Sequence, residues 1–243
     1  MLIKTYIPDK QTSSYISKLK SKERFVVIKK LKEQPPEGYK FQYIDTQYNK
    51  AVFLNLGLKS QNCIPLQYPI GQVIGIKETW GIGIKYFDNM NGKFIQRYAY
   101  KSDCSGIPTI GNKRPLPQCV VDDFKWHSPS TIPQEAIRIY ATVIRNSVKR
   151  VQSLTEDEIY KAGILLGERT VFSKELFANW FNSRFAKPRY RKKTDSYECW
   201  AWDNNITFET DIGSDGETLP TYRGKNIEVH CNPYVEIVEC EVK

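Results

Sequence analysis

The longest strand signal in the chain is the segment Ile137-Arg-Ile-Tyr-Ala-Thr-Val-Ile-Arg-Asn-Ser-Val-Lys-Arg-Val151. Its first half alternates apolar residues with polar or aromatic ones, which is the period of a strand that buries one face. The alternation changes phase near Ile144 and Arg145, and a β-bulge would account for that change. We predict one long strand over 137–151.

Shorter strand signals lie on both sides of this segment. They are Phe25–Ile28, Ala51–Leu56, Gly71–Trp80 and Tyr234–Val242, the last close to the C-terminus. Gly75 interrupts the third of them, which indicates a bend or a close approach of another backbone. We expect 71–80, 137–151 and 234–242 to be strands of one mixed sheet.

Three segments have helical patterns. Residues 11–24 carry Ile16 and Leu19 at helical spacing. Thr155-Glu-Asp-Glu158 is a capping box that predicts a short helix, which Gly163 ends. Residues 173–184 form the third helix, whose apolar residues are predicted to share one side and to pack in the core: Leu176, Phe177, Trp180 and Phe181.

Two segments have the composition of insertions. Residues 104–125 are rich in proline and glycine and predict an ordered loop, whereas residues 186–231 are polar, rich in turn residues and poorly periodic. A chain of 243 residues is long enough for one large domain. We therefore predict a single α+β domain over 1–243 with insertions at about 104–125 and 186–231.

The charge of the chain favours polyanionic partners. Lysine and arginine outnumber aspartate and glutamate by 36 to 27, which gives a net charge of +9. No secretory signal and no long apolar segment is visible, so we expect a cytoplasmic protein that does not bind membranes. In a phage-encoded protein this would be the cytoplasm of the host cell.

The cysteines give little indication of a metal site. Six are present and none form a Cys-x-x-Cys pair, so we expect free, buried thiols and neither a metal nor another cofactor. Cys199 together with His230 and Cys231 is the alternative ligand set.

Four phrases in fixed order carry a family resemblance. They are Gly71-Gln-Val-Ile-Gly-Ile-Lys-Glu-Thr-Trp80, Tyr98-Ala-Tyr-Lys-Ser-Asp103, Trp126-His-Ser-Pro-Ser-Thr-Ile-Pro133 with its continuation to Glu158, and Asn232-Pro-Tyr-Val-Glu-Ile-Val-Glu239. The chain resembles the phage-type branch of the ASCH domain family. That resemblance implies a PUA-like β-barrel of mixed sheet with flanking helices, which binds RNA or modified nucleosides.

Two of the phrases supply candidate ligand contacts. Glu78 is placed to accept hydrogen bonds from a base edge and Trp80 to stack on a base, which contributes about 1–3 kcal/mol. The alternative is that Trp80 seals the core and Glu78 pairs with a nearby arginine or lysine. Trp126 and Ser128 would line the mouth of a pocket, and Arg138 would bind phosphate, pair with Glu78, or do both.

His127 and the basic segment of the chain also have two interpretations each. His127 has no evident nucleophile or orienting acid, which favours a structural role. The segment Ala186-Lys-Pro-Arg-Tyr-Arg-Lys-Lys193 suits a flexible arm that tracks phosphates, and a solvated basic loop is the alternative. The full predicted set of binding residues is Lys29, Lys30, Lys77, Glu78, Trp80, Lys101, Trp126, Ser128, Arg138, Arg191, Lys192 and Lys193.

The catalytic residues of the family are not found at the matching positions. Some ASCH relatives hydrolyse acetylated cytidine with a lysine, a threonine and a glutamate, and the matching positions here hold Phe25, Val26, Ile28 and Ala162. We therefore predict no catalytic residue, although Lys22 or Lys29 are alternative amines for such a site.

The predicted function is that of a phage- or prophage-related module that binds single-stranded RNA or a nucleotide. One alternative is a hydrolase, either a ribonuclease or an amidohydrolase that acts on modified nucleosides. Another is an accessory protein that binds a host protein through residues 186–231.

Overall fold

The computed structural model describes residues 4–8, 16, 19, 24–88, 93–104, 125–163, 174–203, 206, 208–212 and 218–243. Strands dominate this part of the chain, and its few helices make it an α+β structure. The first strands are β1 (Lys4–Tyr6), β2 (Arg24–Lys30), β3 (Lys40–Asp45), β4 (Lys50–Asn55), β5 (Ser60–Pro65), β6 (Val73–Ile76), β7 (Trp80–Asp88) and β8 (Lys93–Tyr100). The later strands are β9 (Ile139–Arg150), β10 (Arg189–Arg191), β11 (Ser196–Ala201), β12 (Glu209–Ile212), β13 (Thr218–Tyr222), β14 (Lys225–Cys231) and β15 (Tyr234–Val242). The helices are α1 (Glu156–Lys161) and α2 (Lys174–Phe185), with 3-10 turns at Lys101–Cys104, Pro129–Thr131, Gln134–Ala136 and Val151–Ser153.

The strands form four sheets. A five-stranded sheet has the order β1-β6-β9-β15-β2 and is mixed, because β1 pairs with β6 in parallel and β6 pairs with β9 antiparallel. The others are the β3-β4-β5 sheet, the β7-β8 hairpin and a second five-stranded sheet in the order β10-β11-β14-β13-β12. Within the described residues none of these sheets closes into a barrel, so the PUA-like closure stays a prediction.

The predicted strand over 137–151 is confirmed as β9. Ile139, Ala141 and Val143 are buried in its first half, and Asn146 and Val148 in its second. The buried positions thus change from odd to even numbers at Ile144 and Arg145, where the sequence pattern changes phase. In a regular pleat odd and even positions face opposite sides, so either the two halves of β9 are covered on opposite faces or the pleat shifts by one residue at this point.

The prediction of one strand over 71–80 is wrong in part. β6 ends at Ile76, and β7 begins at Trp80 after three residues outside the sheet. Glu78 lies in this break, with its side chain buried inside the protein. Gly75 lies before this break, within β6, and allows a close approach of Ile137, because a Cβ atom at position 75 would lie 3.0 Å from Ile137 Cγ2.

Most of the other local predictions are confirmed. β2, β4 and β15 lie where the apolar segments predict them. Thr155 and Glu158 form the predicted capping box at the start of α1, and Gly163 follows the helix at a φ of 68°. At 11–24 the structure describes Ile16 and Leu19, which are helical and fully buried, and Arg24, which begins β2 and so lies outside the predicted helix. The predicted loop at 104–125 lies, apart from Cys104 and Lys125, outside the described residues.

The predicted apolar side of the 173–184 helix needs one correction. Phe177 and Phe181 are fully buried in α2, whereas the side chain of Leu176 is 55% exposed. Residues four apart lie on one helix face, and the two phenylalanines define the buried one. Leu176 directly precedes Phe177 and is therefore rotated away from the core.

The segment 186–231, predicted to be a turn-rich insertion, consists largely of strands. Most of this segment forms the second five-stranded sheet, from β10 to β14. Its strands are short, and aromatic residues lie on both faces, so that no simple apolar alternation appears in the sequence. Tyr197 of β11 contacts Tyr190 and Tyr222, while Trp200 of the same strand points to the opposite face.

The chain divides into two compact units. The first, here called unit 1, comprises Met1–Phe25, Ile70–Arg145 and Glu239–Lys243, and unit 2 comprises Val26–Pro69 and Asn146–Val238. Unit 1 has a core cluster of Trp80, Ile132, Ala136 and Ile137. Among the described residues of unit 2 there are two clusters, one beneath α1 and α2 around Phe177 and Phe181 and one around Phe53 and Tyr234.

Candidate nucleic-acid interface

In unit 1 the predicted residues converge on a buried carboxylate. The side chain of Glu78 is 1% exposed, and Arg138 donates hydrogen bonds from Nε to its Oε2 and from Nη2 to its Oε1, both at 2.8 Å. This is the bidentate geometry in which a guanidinium matches a carboxylate. The predicted pairing of Glu78 with a nearby arginine is therefore confirmed.

Two further side chains complete this network. Ser102 donates its hydroxyl proton to Glu78 Oε1 at 2.6 Å. The guanidinium carbon of Arg138 lies 3.6 Å from the centroid of the Tyr100 ring, and the Tyr100 hydroxyl donates to the carbonyl of Ala136. Since both carboxylate oxygens have protein partners, Glu78 holds the end of β6 to the segment before β9, and its geometry favours a structural role.

Trp80 is part of the core of unit 1. It is 9% exposed and stacks on His127, with 4.8 Å between the ring centroids. The two residues also exchange backbone hydrogen bonds, and the Trp80 Nε1 proton is donated to Thr131 Oγ1 at 3.2 Å. The interpretation that Trp80 seals the core is confirmed, and His127 has the structural role that was expected.

The remaining predicted residues of unit 1 are nearer the surface. Lys77 donates from Nζ to the carbonyl of Ser130 at 3.2 Å, and Ser128 caps the 3-10 turn at Pro129–Thr131. Trp126 is half-buried and Lys101 is exposed. Within the predicted set of unit 1, Glu78 and Arg138 bind each other, whereas Lys77 and Ser128 form hydrogen bonds with Ser130.

A second constellation lies on one face of the β10-β11-β14 strands in unit 2. In the register of these strands Arg189 is opposite Glu198, and Trp200 is opposite His230. Cross-strand partners share a face of the sheet, and alternate residues of one strand do as well. This face, here called the Trp200 face, therefore carries Arg189, Arg191, Glu198, Trp200, Glu228 and His230.

Contacts within the Trp200 face fix the indole. The His230 ring stacks on it with 4.2 Å between centroids and 18° between planes. The Trp200 Nε1 proton is donated to Glu198 Oε1 at 2.5 Å, and the other oxygen of Glu198 accepts a hydrogen bond from Arg191 Nε. Burial alone would raise the pKa of Glu198, but the hydrogen bonds from Arg191 and Trp200 outweigh it and lower that pKa. The carboxylate is therefore ionised.

Lys30 brings an ammonium group to this indole. Its Nζ lies 4.6 Å from the centroid of the Trp200 ring and donates to the carbonyl of Leu31 at 3.2 Å. Burial lowers the pKa of Lys30 to about 8; Glu198 opposes the shift, and repulsion from Arg189 and Arg191 adds to it. An anion bound beside these three cations would therefore be attracted by all of them.

Part of the predicted basic arm, 186–193, is a strand. Arg189–Arg191 is strand β10, paired with β11 in a hairpin, so that Lys192 and Lys193 lie in an exposed turn. Asp195 fixes this turn, since it accepts hydrogen bonds from the Tyr190 hydroxyl and from Lys225. Lys29 precedes Lys30 in β2 and points the other way in the strand alternation.

Trp200 and Glu198 lie outside the predicted site, Arg189 belongs to it only through the basic segment 186–193, and His230 is predicted only as an alternative metal ligand. Their signal, charged residues around Glu198-Cys-Trp200, lies in a segment that was interpreted as an insertion. Cys199 of that segment faces away from Trp200, and burial raises the pKa of its thiol to about 11, with Cys231 and Glu198 adding to the shift. In the part of the chain that the structure describes, no three His, Cys, Asp or Glu side chains group together as metal ligands.

Comparisons of the chain with protein-family models, with curated proteins and with solved structures find no match. Within the described ranges no helix has both the length and the hydropathy needed to cross a membrane.

Proposed function

We propose that the protein is a phage- or prophage-related module of ASCH type that binds single-stranded RNA or nucleotides, and that the Trp200 face of unit 2 is its binding surface. The observation that carries this proposal is the Lys30 ammonium above the Trp200 ring, beside Arg189 and Arg191. The four-phrase resemblance supports the assignment to the family and its PUA-like fold.

The composition of the Trp200 face suits a single strand of nucleic acid. Proteins that bind single strands combine cations that follow the backbone with aromatic rings on which bases stack. Here Lys30, Arg189 and Arg191 supply three cations, and the carboxylates of Glu198 and Glu228 on the same face offset two of them. Trp200 and His230 supply the rings, and the net charge of +9 favours the approach of a polyanion.

The structure favours binding over hydrolysis at the positions where relatives carry catalytic groups. Phe25, Val26, Ile28 and Ala162 are all buried and apolar. General acid–base catalysis needs a side chain that can transfer a proton, and none of these four can. Lys22, one of the alternative amines, lies outside the described residues.

The proposal is tested by fluorescence anisotropy with a labelled single-stranded RNA, titrated over a range of salt concentrations. Removal of a cation that contacts phosphate should make the log–log salt slope shallower by roughly 0.7. We expect this for Arg189→Gln and Arg191→Gln. The matched control is Lys59→Gln, which removes the same charge at an exposed turn of unit 2.

The control should retain the slope of the wild type. If the wild type does not bind RNA at low salt, or if the control weakens binding as much as the two arginine variants do, the proposed function is wrong.

A further inference from the structure

The stacking surface of Trp200 is covered by a cation in the free protein. Lys30 Nζ lies 4.6 Å from the ring centroid, and the His230 ring lies 4.2 Å from it. A base that stacks on the face of the indole beneath Lys30 has to displace the ammonium. This inference rests on the proposed function and concerns which ligands the Trp200 face accepts.

The ammonium of Lys30 is held in a way that an anion can overcome. Its hydrogen bond goes to the carbonyl of Leu31, the next residue, and it lies at the end of a flexible side chain. A cation above an aromatic ring is held more weakly than one in a charge-assisted hydrogen bond to phosphate. Glu198 attracts the ammonium, whereas Arg189 and Arg191 repel it, and an anion between the three cations would remove that repulsion.

The ring itself is held by groups other than Lys30. Glu198 accepts the indole proton and is in turn bound by Arg191, and His230 stacks on the indole from β14. These contacts would remain when Lys30 moves, so the ring is already oriented for a base. Such preorganisation reduces the entropy cost of binding.

We propose that Lys30 makes the Trp200 face selective for nucleotides over nucleosides, because a phosphate group draws the ammonium off the indole and the base then takes its place on the ring. A nucleoside has no anionic group to attract the ammonium and must displace it with weaker compensation from its neutral acceptors. The ligand class is therefore a nucleotide, free or within a single strand, that carries a phosphate next to its base.

The test is a titration followed by NMR of the indole N–H signals, with cytidine, cytidine monophosphate and inorganic phosphate as probes. The Trp200 signal is assigned by its loss in Trp200→Phe. In the wild type we expect cytidine monophosphate to bind at least about tenfold more tightly than cytidine, the factor typical of a hydrogen bond between charged groups.

Variants of Lys30 distinguish an ammonium that covers the Trp200 ring from one that only attracts the phosphate. In Lys30→Ala the affinity for cytidine should rise because the ring is uncovered, while the affinity for cytidine monophosphate should fall. Lys30→Gln retains the length of the stem and guards against a packing defect, and it should likewise lose the preference for the nucleotide. Lys59→Ala is the control and should behave as the wild type.

The inference is overturned if the wild type binds cytidine and cytidine monophosphate equally, or if Lys30→Ala leaves their ratio unchanged. It is also overturned if inorganic phosphate alone matches the affinity of the nucleotide, because the base would then add nothing. In each case the salt-dependent RNA binding of the wild type and of Arg189→Gln still decides the proposed function separately.

Discussion

Arg138 donates two hydrogen bonds of 2.8 Å to the carboxylate of Glu78, and the two partners differ greatly in exposure. The Glu78 side chain is 1% exposed and the Arg138 side chain 28%. The guanidinium can therefore turn toward water if its partner is removed, whereas the carboxylate cannot. Truncation of the two residues should for this reason have unequal effects on stability.

We expect Arg138→Ala to lower the free energy of unfolding by about 3–5 kcal/mol, because it leaves a buried charge without its counterion. Glu78→Ala should cost less, since Arg138 can reach solvent. Urea unfolding monitored by circular dichroism measures both. Ser102→Ala, which removes one hydrogen bond to Glu78 and should cost about 1 kcal/mol, serves as the internal scale. Equal losses for Arg138→Ala and Glu78→Ala would contradict the difference in exposure.

The parts of the fold that sequence predicts well are those with a local cause. The alternation of β9 with its change of phase, the capping box of Thr155 and Glu158, and the apolar strand β15 each follow from residues within a few positions of one another. The Glu78–Arg138 pair was also anticipated, as one of two alternatives. Both of its residues belong to phrases on which the family resemblance rests.

The Trp200 face has no such local signal. Lys30 meets Trp200 only because distant segments of the chain come together in unit 2, and Trp200 meets His230 only because β11 and β14 pair in parallel. Parallel pairing of strands so close in sequence is not visible in composition or periodicity. Of the predicted basic residues, Lys30 and Arg191 lie in this group, and its aromatic centre, Trp200, was not predicted.

The titration of Lys30 predicts how anion binding depends on pH. Its pKa in the free protein is about 8, and a bound phosphate favours the charged ammonium. Affinity for single-stranded RNA should therefore be highest where Lys30 is protonated and should fall as the pH rises from about 7 to about 9.5. Anisotropy titrations at constant ionic strength measure this dependence.

Lys30→Arg is the matched control for this pH profile, because a guanidinium retains its charge throughout the range. Its affinity should change little with pH. If the wild type and Lys30→Arg lose affinity in parallel, then another group is responsible and Lys30 does not contact the phosphate.

The titration of Lys30 also predicts that stability changes with pH, in the opposite direction to the affinity for RNA. The folded-state pKa of Lys30 is about 8, below the ordinary value of 10.5. Below pH 8 Lys30 is charged in both the folded and the unfolded state. Burial of that charge makes folding less favourable there. Between the two values the unfolded chain binds more protons, so the contribution of Lys30 to the free energy of unfolding rises with pH.

This contribution is measured as the difference between the wild type and Lys30→Met, from urea unfolding at a series of pH values. We expect Lys30→Met to be the more stable protein at neutral pH and its advantage to shrink as the pH rises through about 8 toward 10.5. An advantage that does not change with pH would mean that Lys30 titrates alike in the folded and unfolded states.

The thiols should differ sharply in reactivity. Cys63 is exposed on β5, whereas Cys199 and Cys240 are buried. Burial raises the pKa of Cys240 to about 12, with Glu239 adding to the shift. Because only the thiolate reacts, a buried thiol with a raised pKa should be inert in the folded protein.

With a chromogenic disulfide reagent at neutral pH, Cys63→Ser should therefore react with one fewer rapidly modified thiol than the wild type. Cys240→Ser should retain the full rapid phase and lose one thiol only when urea is added, because the folded structure covers that side chain. The two substitutions remove the same group, so they differ only in where the thiol lies. A smaller rapid phase in Cys240→Ser would show that β15 opens readily in solution, and that the core beside it is less closed than the burial of this strand indicates.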